Sequence, residues 1–391
     1  MKKMRWTAQS AQTANTVSIP EVSTGFLSKG GVSSLRAFAV TPPDFITCYL
    51  LALLLWTVPL CLCGCRKATP VRGLDFEAAT KRSCVLRLRA PSSLTEGWKS
   101  GGSVPDTLDI FSYDPENHDR IDSYSRVAYA DEIQLTLTTG PKKLVVLCGI
   151  DTARLRYADI VSLDHLKQVC GRLEEENPEK PLLCGTAGVD AGVNPRATVT
   201  LEPLLTRIRV SRLSANFSGC SYEGAVVDSV RIYLTNVSCR CPLLARDSIR
   251  AQDFVNYGRW SDEDIRSFAS PGMLLHTLDG NLTAIPRSLT ACLFCYPNQN
   301  PDEAAGSPFT RLVVECRING ERFYYPINIG RGSWKAAGPA EGVARGKTYD
   351  FDITLRHLGS RDPDTVVEWV SAGVFLKIEE WEECNEKYEK F

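Results

Sequence analysis

The chain has 391 residues, with 45 Lys and Arg against 46 Asp and Glu, for a formal charge of −1. That balance supplies no long-range field toward nucleic acid or acidic lipid, and a content of 43% hydrophobic and 23% charged residues excludes a disordered chain. Fifteen Cys but only four His leave no material for a His-rich metal cage.

Residues 46–62 read ITCYLLALLLWTVPLCL. The stretch is short for a membrane span, which needs about 20 apolar residues, and Pro59 interrupts it. It suits the apolar core of an export signal. The following Leu62-Cys63-Gly64-Cys65 resembles a bacterial lipoprotein signal. Gly64 lets a peptidase approach the backbone, and Cys65 offers a thiol for acylation, palmitate included. Residues 1–64 are therefore assigned to the export signal. Residues 1–31 are read as an over-extended start, with initiation near Val32. Residues 65–80 form the lipidated N-terminus and a polar tether; several acyl chains hold a protein firmly where one holds it weakly. A single-pass anchor is the alternative reading. Cys61 is a weaker acylation site because Pro59 and Leu60 precede it.

Beyond the tether the dominant pattern is alternation, the mark of half-buried strands. In residues 83–88, Cys84, Leu86 and Leu88 share one face while Val85 and Arg87 share the other. Residues 107–112 form the next strand, and the Asp-, Asn- and Pro-rich residues 114–119 form a turn rather than a calcium loop, lacking its glycine and terminal Glu. Residues 132–138 alternate again, and 144–148 (LVVLC) read as a central strand. Residues 159–176 place Ile160, Leu163, Leu166, Val169, Cys170 and Leu173 on one stripe, which predicts an amphipathic helix. A boundary falls near residues 195–203. Residues 226–234 alternate; Ser261 to Asp264 resemble a capping box before a helix. Asn319-Gly320 between two apolar runs is a hairpin signal, since both residues tolerate positive φ. Residues 330–346 are a Gly/Ala-rich loop, and residues 349–356 are a further strand. The tail from 379 to 391 has helical spacing but also reads as a strand end with a frayed turn. Many short strands with few helices predict an all-β protein with a few short helices, built as two β-sandwiches, residues 81–200 and 201–391.

Several segments in this order resemble the fimbrillins of Bacteroidales type V pili and their fimbrillin-like lipoprotein relatives. They are Leu108 to Asp114 (LDIFSYD), Asp228 to Val237 (DSVRIYLTNV), Cys295 to Asn298 (CYPN), the hairpin RLVVE with YYPI, and Gly359 to Asp364 (GSRDPD). The resemblance spans most of residues 65–391. It implies two tandem transthyretin-like β-sandwich domains and export as a lipoprotein. It also implies assembly in which an N-terminal strand is cut away after an Arg and a neighbour's strand fills the vacated groove. On this sequence the leaving strand is the one carrying Cys84, Val85, Leu86 and Leu88. The cleavage candidate is Arg89, the only Arg of the segment 89–104, and it abuts the strand directly; an uncut chain would serve as a base or anchor. The donor candidates are Val366, Val367 and Trp369, then Val374, Leu376 and Ile378. The resemblance places the chain at the cell outer membrane, surface-exposed in a fimbrium.

No Gly-x-Ser-x-Gly elbow, P-loop or His-Glu-x-x-His occurs. The His residues at 118, 165, 276 and 357 adjoin no nucleophile in the sequence. Cys239/Cys241 and Cys292/Cys295 read as structural thiols, since residues three apart on a strand face opposite ways. The sequence predicts no enzyme, no metal and no cofactor. It predicts a minor, tip or anchor subunit of a surface pilus supporting cell adhesion. Its expected partners are other fimbrial subunits, the outer membrane through its acyl chains, and a host or bacterial surface ligand, with no nucleic acid. The alternative is a free-standing surface lipoprotein that binds a glycan or host protein, with Trp260 and Trp334 as exposed candidates.

Overall fold

The computed structural model describes residues 80–91, 107–150, 159–245, 249–251, 253–331, 342–367 and 373–380. Cys65, Trp334, Trp369 and the tail 381–391 lie outside them. Among the described residues no helix is long and apolar enough to cross a membrane. The described residues belong to one compact unit.

In chain order the elements are β1 (Lys81–Arg89), β2 (Thr107–Asp114), β3 (Arg120–Ala128), β4 (Glu132–Thr138), β5 (Pro141–Cys148), α1 (Leu163–Lys167), β6 (Cys170–Arg172), β7 (Leu183–Asp190), β8 (Arg196–Thr200) and β9 (Glu202–Pro203). There follow β10 (Thr206–Ala215), β11 (Val227–Thr235), β12 (Val237–Ser238), β13 (Arg240–Pro242), β14 (Phe254–Val255) and β15 (Leu275–Thr277). The last described elements are β16 (Arg287–Cys295), β17 (Arg311–Ile318), β18 (Glu321–Asn328), β19 (Lys347–Leu355) and β20 (Val374–Glu380). The first sandwich stacks the sheet β4-β1-β8 on the sheet β3-β2-β5-β7-β9. Between them lies a core of Cys84, Leu86, Leu108, Ile110, Leu135, Val146 and Val199 with their neighbours. The second stacks β16-β10-β19-β20 on β15-β11-β17-β18. The all-β, two-sandwich expectation agrees with this architecture. The first sandwich reaches three residues beyond the expected division at 200, because β9 pairs with β7 through Pro203.

Alternation explains the strands. In β4, Ile133, Leu135 and Leu137 are buried and the residues between them face out. The β17–β18 hairpin turns on Asn319 and Gly320, at φ of 50° and 82°. Ile318 faces Glu321 across this two-residue loop, as the positive φ of both loop residues allows. At 114–119 Asp114 accepts from the N–H of Glu116 at 2.9 Å and of Asn117 at 3.3 Å, closing a single 3-10 turn.

Two helical expectations fail. Residues 159–176 hold the short α1 and a single 3-10 turn at Leu173–Glu175 rather than one helix; between them Cys170–Arg172 leave the helical path to pair with β13. Ile160, Leu163, Leu166 and Leu173 are still buried, but Cys170 is exposed. Gly171 favours the strand: a Cβ there would lie 2.6 Å from the Tyr296 hydroxyl, so only glycine admits the close approach. At Ser261 the capping contact forms, with the Asp264 N–H donating to Ser261 Oγ at 3.2 Å, but the chain makes successive turns rather than a helix.

The two sandwiches share a joint. The outer face of the five-stranded sheet, with Phe111, Tyr113, Val145 and Leu147, merges into the core of the second sandwich. Arg345, from the second half, is buried and donates to the carbonyls of Pro203 at 3.2 Å, Leu243 at 2.8 Å and Glu202 at 3.1 Å. Buried Glu176 accepts from the Tyr296 hydroxyl at 2.8 Å and from the Leu182 N–H at 3.2 Å. Burial pushes its carboxyl up to about 7, against the opposing pull of the Tyr296 and Leu182 bonds and the Arg345 charge. The unfolded chain ionises this group from about 4.5 upward while the folded chain holds its proton to about 7. Stability from this group is therefore full below pH 4.5 and is lost as pH rises to about 7, a difference of about 3 kcal/mol. Glu176→Gln is expected to flatten that slope in thermal melts taken from pH 4.5 to 8. Parallel slopes in the two proteins would refute the assignment.

Candidate functional site

β1 sits in the middle of its sheet. On one side it runs antiparallel to β4, from Lys81 opposite Thr138 to Arg87 opposite Glu132. On the other it runs parallel to β8, from Val85 opposite Arg196 to Arg89 opposite Thr200. Cys84 and Leu86 are fully buried and Leu88 nearly so. Val85 is half-buried and Arg87 exposed, so the strand presents the two faces expected of it. Burial raises the Cys84 thiol; burial, then the charge of Asp109, pushes the Cys148 thiol up to about 12. Both are space-filling side chains here, not nucleophiles.

The outer face carries polar pairs. Ser83 Oγ donates to Gln134 at 2.9 Å and Arg87 Nε donates to Glu132 at 2.7 Å. Exposed pairs of this kind add little stability but help fix register. If β1 left, β4 and β8 would face each other across a slot one strand wide. Its floor would be Ile133, Leu135 and Leu137 beside Leu108, Ile110, Val146 and Val199. Arg89 closes the strand with an exposed side chain, and its carbonyl accepts from the Leu201 N–H at 2.7 Å. The peptide bond after Arg89 is thus held in the ladder rather than free in a loop.

The second sandwich contains the same arrangement. β10 is antiparallel to β16 and parallel to β19, as β1 is to β4 and β8. Against that shared three-strand unit, β20 is an addition, bonded to β19 alone at the sheet edge. Val374 and Leu376 face the core and Ile378 is half-buried, whereas Phe375 and Lys377 face out. Charge pins the strand. Arg209, itself 2.6 Å from Asp350, lies 3.7 Å from Glu379, and Lys347 bonds Glu380. Val366 and Val367 are in no strand. Their backbone departs after the turn at Asp362, and the Val367 N–H donates to the Pro326 carbonyl at 3.2 Å.

Trp260 does not present an open ring. Its Nε1 donates to Asp262 at 2.7 Å, and the Arg231 guanidinium covers its face 5.5 Å from the ring centre. A stacking sugar would have to displace that cation. Sequence reasoning missed this cover, because Arg231 and Trp260 meet only through the fold. Among the described residues no group of three or more His, Cys, Asp or Glu converges as a metal site, and no disulfide forms.

No family model matches the sequence, and no curated protein matches it. Solved structures do. A candidate cell adhesion protein from Bacteroides eggerthii is 15% identical, with a TM-score of 0.57 over 78% of this chain and 97% of that one. A fimbrilin from Porphyromonas gingivalis is 10% identical, with a TM-score of 0.52 over 78% and 98%. A candidate cell adhesion protein from Parabacteroides distasonis is 12% identical, with a TM-score of 0.52 over 77% and 100%. The chain has the all-β fold of these Bacteroidales fimbrilin-like proteins.

The energetic weight of β1 lies on its inner face. Leu86→Ala is expected to destabilise the first sandwich by about 2–5 kcal/mol, whereas Arg87→Ala changes stability by less than about 1 kcal/mol. Urea unfolding of the two variants checks the asymmetry.

Proposed function

We propose, on the premise of the fimbrilin-like fold, that this chain is a structural subunit of a bacterial surface pilus: a minor, tip or anchor component joined to its neighbours by β-strand addition. In this reading it is exported through the signal in residues 1–64 and held on the outer membrane by acylation of Cys65. The observation that carries the proposal is the position of β1, an N-terminal strand hydrogen-bonded on both sides and ending on an exposed Arg. An uncut chain keeps its slot filled and serves as a base or anchor. Cleavage after Arg89 would free β1 and leave two unpaired edges flanking an apolar floor, the template that strand addition requires.

A donor is available within the same sequence. Laid on β1 with Val374 at the Cys84 position, β20 of another copy puts Leu376 at Leu86 and Ile378 at Leu88, all inward. Phe375 falls at Val85, and Lys377 falls at Arg87, opposite Glu132, so the cross-strand charge pair is kept. A shift of one residue would turn Phe375 and Lys377 into the slot. Edge placement makes β20 the strand that leaves its own sheet at least loss, since one ladder breaks rather than two. At Trp260 the glycan-binding alternative receives no comparable support, because Arg231 lies over the ring face; Trp334 is outside the described residues.

Material recovered from the cell surface tests this reading. An N-terminus at Ala90, with subunit ladders that survive mild detergent, identifies a polymerising subunit; an acylated Cys65 in the same ladders identifies the anchor. Leu376→Asp is expected to abolish the ladders while leaving export intact. Monomer alone, unchanged by Leu376→Asp, would overturn the proposal.

A further inference from the structure

The sequence scatters its four His with no nucleophile beside any of them, yet the fold seats one against a thiol. His357 lies two residues past the end of β19, and its Nδ1 is 4.0 Å from Cys220 Sγ and 3.4 Å from the Tyr222 hydroxyl. Loop bonds hold the three groups together. The Asn216 N–H donates to the Leu355 carbonyl at 2.8 Å, drawing the turn that carries Cys220 onto the end of β19. The Leu358 N–H donates to the Tyr222 hydroxyl at 3.3 Å, and the Tyr325 hydroxyl donates to the His357 carbonyl at 2.6 Å. The rings of Phe217 and Tyr222 pack edge-on at 5.0 Å. His357 is exposed and Cys220 half-exposed, so a reagent reaches both.

The Cys220 thiol and the Tyr222 hydroxyl converge on one ring nitrogen, and the tautomer with its lone pair on Nδ1 and its proton on Nε2 lets both donate to it. The thiol proton has two acceptors, the Arg356 carbonyl at 3.7 Å and Nδ1. Only the imidazole can carry the proton away. We propose that Cys220 and His357 form a thiol-modification site at the surface, which takes disulfide-bearing molecules by thiol–disulfide exchange.

The incoming disulfide is itself the oxidant of the step. Nδ1 accepts the Sγ proton, and the thiolate attacks one sulfur of the incoming disulfide. A new S–S bond to Cys220 forms as the incoming S–S bond breaks. The leaving sulfur takes the proton from the imidazolium and departs as a thiol. Cys220 sulfur is oxidised and the departing sulfur is reduced. Selectivity comes from the surroundings of the other thiols. Cys84 and Cys295 lie in the cores; burial raises the Cys239 thiol to about 11 and the Cys316 thiol to about 12, in each case helped by nearby carboxylates. Cys170 is more exposed than Cys220, but desolvation raises its thiol against the opposing pull of Arg240, and its sulfur donates to the Gln168 carbonyl at 3.8 Å. The site does not depend on the pilus reading, since Cys220 belongs to neither β1 nor β20.

The test is site-resolved labelling of the intact folded chain with iodoacetamide, and separately with oxidised glutathione, read by peptide mass mapping. Among the described thiols Cys220 is expected to react first, and faster than in urea. His357→Ala should slow it about tenfold near pH 7. The charged and titratable groups around the pair are Tyr222, Arg356 and Glu223, whose carboxylate accepts from the Gly219 N–H at 3.0 Å. Tyr222→Phe separates the phenol's part from the imidazole's. His357→Gln keeps a polar side chain but no base, and should slow the reaction as His357→Ala does even where Ala disturbs the loop. Equal rates folded and unfolded, or a His357→Gln profile identical to wild type, would overturn the proposal.

Discussion

A strand bonded on both edges is the constraint from which the rest of this molecule is best understood. β1 contributes N–H and C=O groups to two ladders at once and buries Cys84, Leu86 and Leu88 beneath them. An edge strand lost from a sheet leaves one unpaired row; a middle strand lost leaves two, over an apolar floor. Such a slot accepts another strand of the same alternation far more readily than it accepts water. The first sandwich is thus closed by a segment at its own N-terminal end, while the second carries a surplus edge strand at its C-terminal end. That asymmetry between two otherwise equivalent three-strand units is what the proposed head-to-tail joining rests on.

The joint between the sandwiches gives this asymmetry a fixed frame. Arg345 reaches four backbone carbonyls of Glu202, Pro203, Leu243 and Ala245, and β6 pairs with β13 beside it. Glu176 and Tyr296 bridge the same region from opposite sides. A buried cation satisfied by carbonyls rather than by a carboxylate contact depends on backbone held in place. Disulfides are absent among the described residues, so packing and these buried polar bonds hold the frame.

Much of the fold was legible because alternation reports burial directly. β1, β4 and β19 could be read residue by residue, and Asn319-Gly320 announced its turn by backbone preference alone. The helix expected over residues 159–176 failed because the apolar stripe of Ile160, Leu163, Leu166 and Leu173 satisfies the core whether or not the chain stays helical. What decides the outcome is Gly171 meeting Tyr296 and the ladder to β13, both long-range. The same limit hid the site's partners. Glu132 opposite Arg87, Arg231 over Trp260, and His357 beside Cys220 are each separated by dozens of residues, and no local pattern couples them. Arg89 was visible as a residue type, but the bond from the Leu201 N–H to its carbonyl was not.

The most direct measurement is amide hydrogen exchange on β4 and β8 before and after cutting with an Arg-specific protease. In the intact chain residues 132–138 and 196–200 should be strongly protected. Once β1 is removed, protection should collapse at these two strands while the second sandwich keeps its own. A synthetic peptide of residues 373–380 should then restore it, and the same peptide with Leu376→Asp should not. Protection that persists at β4 and β8 without β1, or that the peptide fails to restore, would contradict the account.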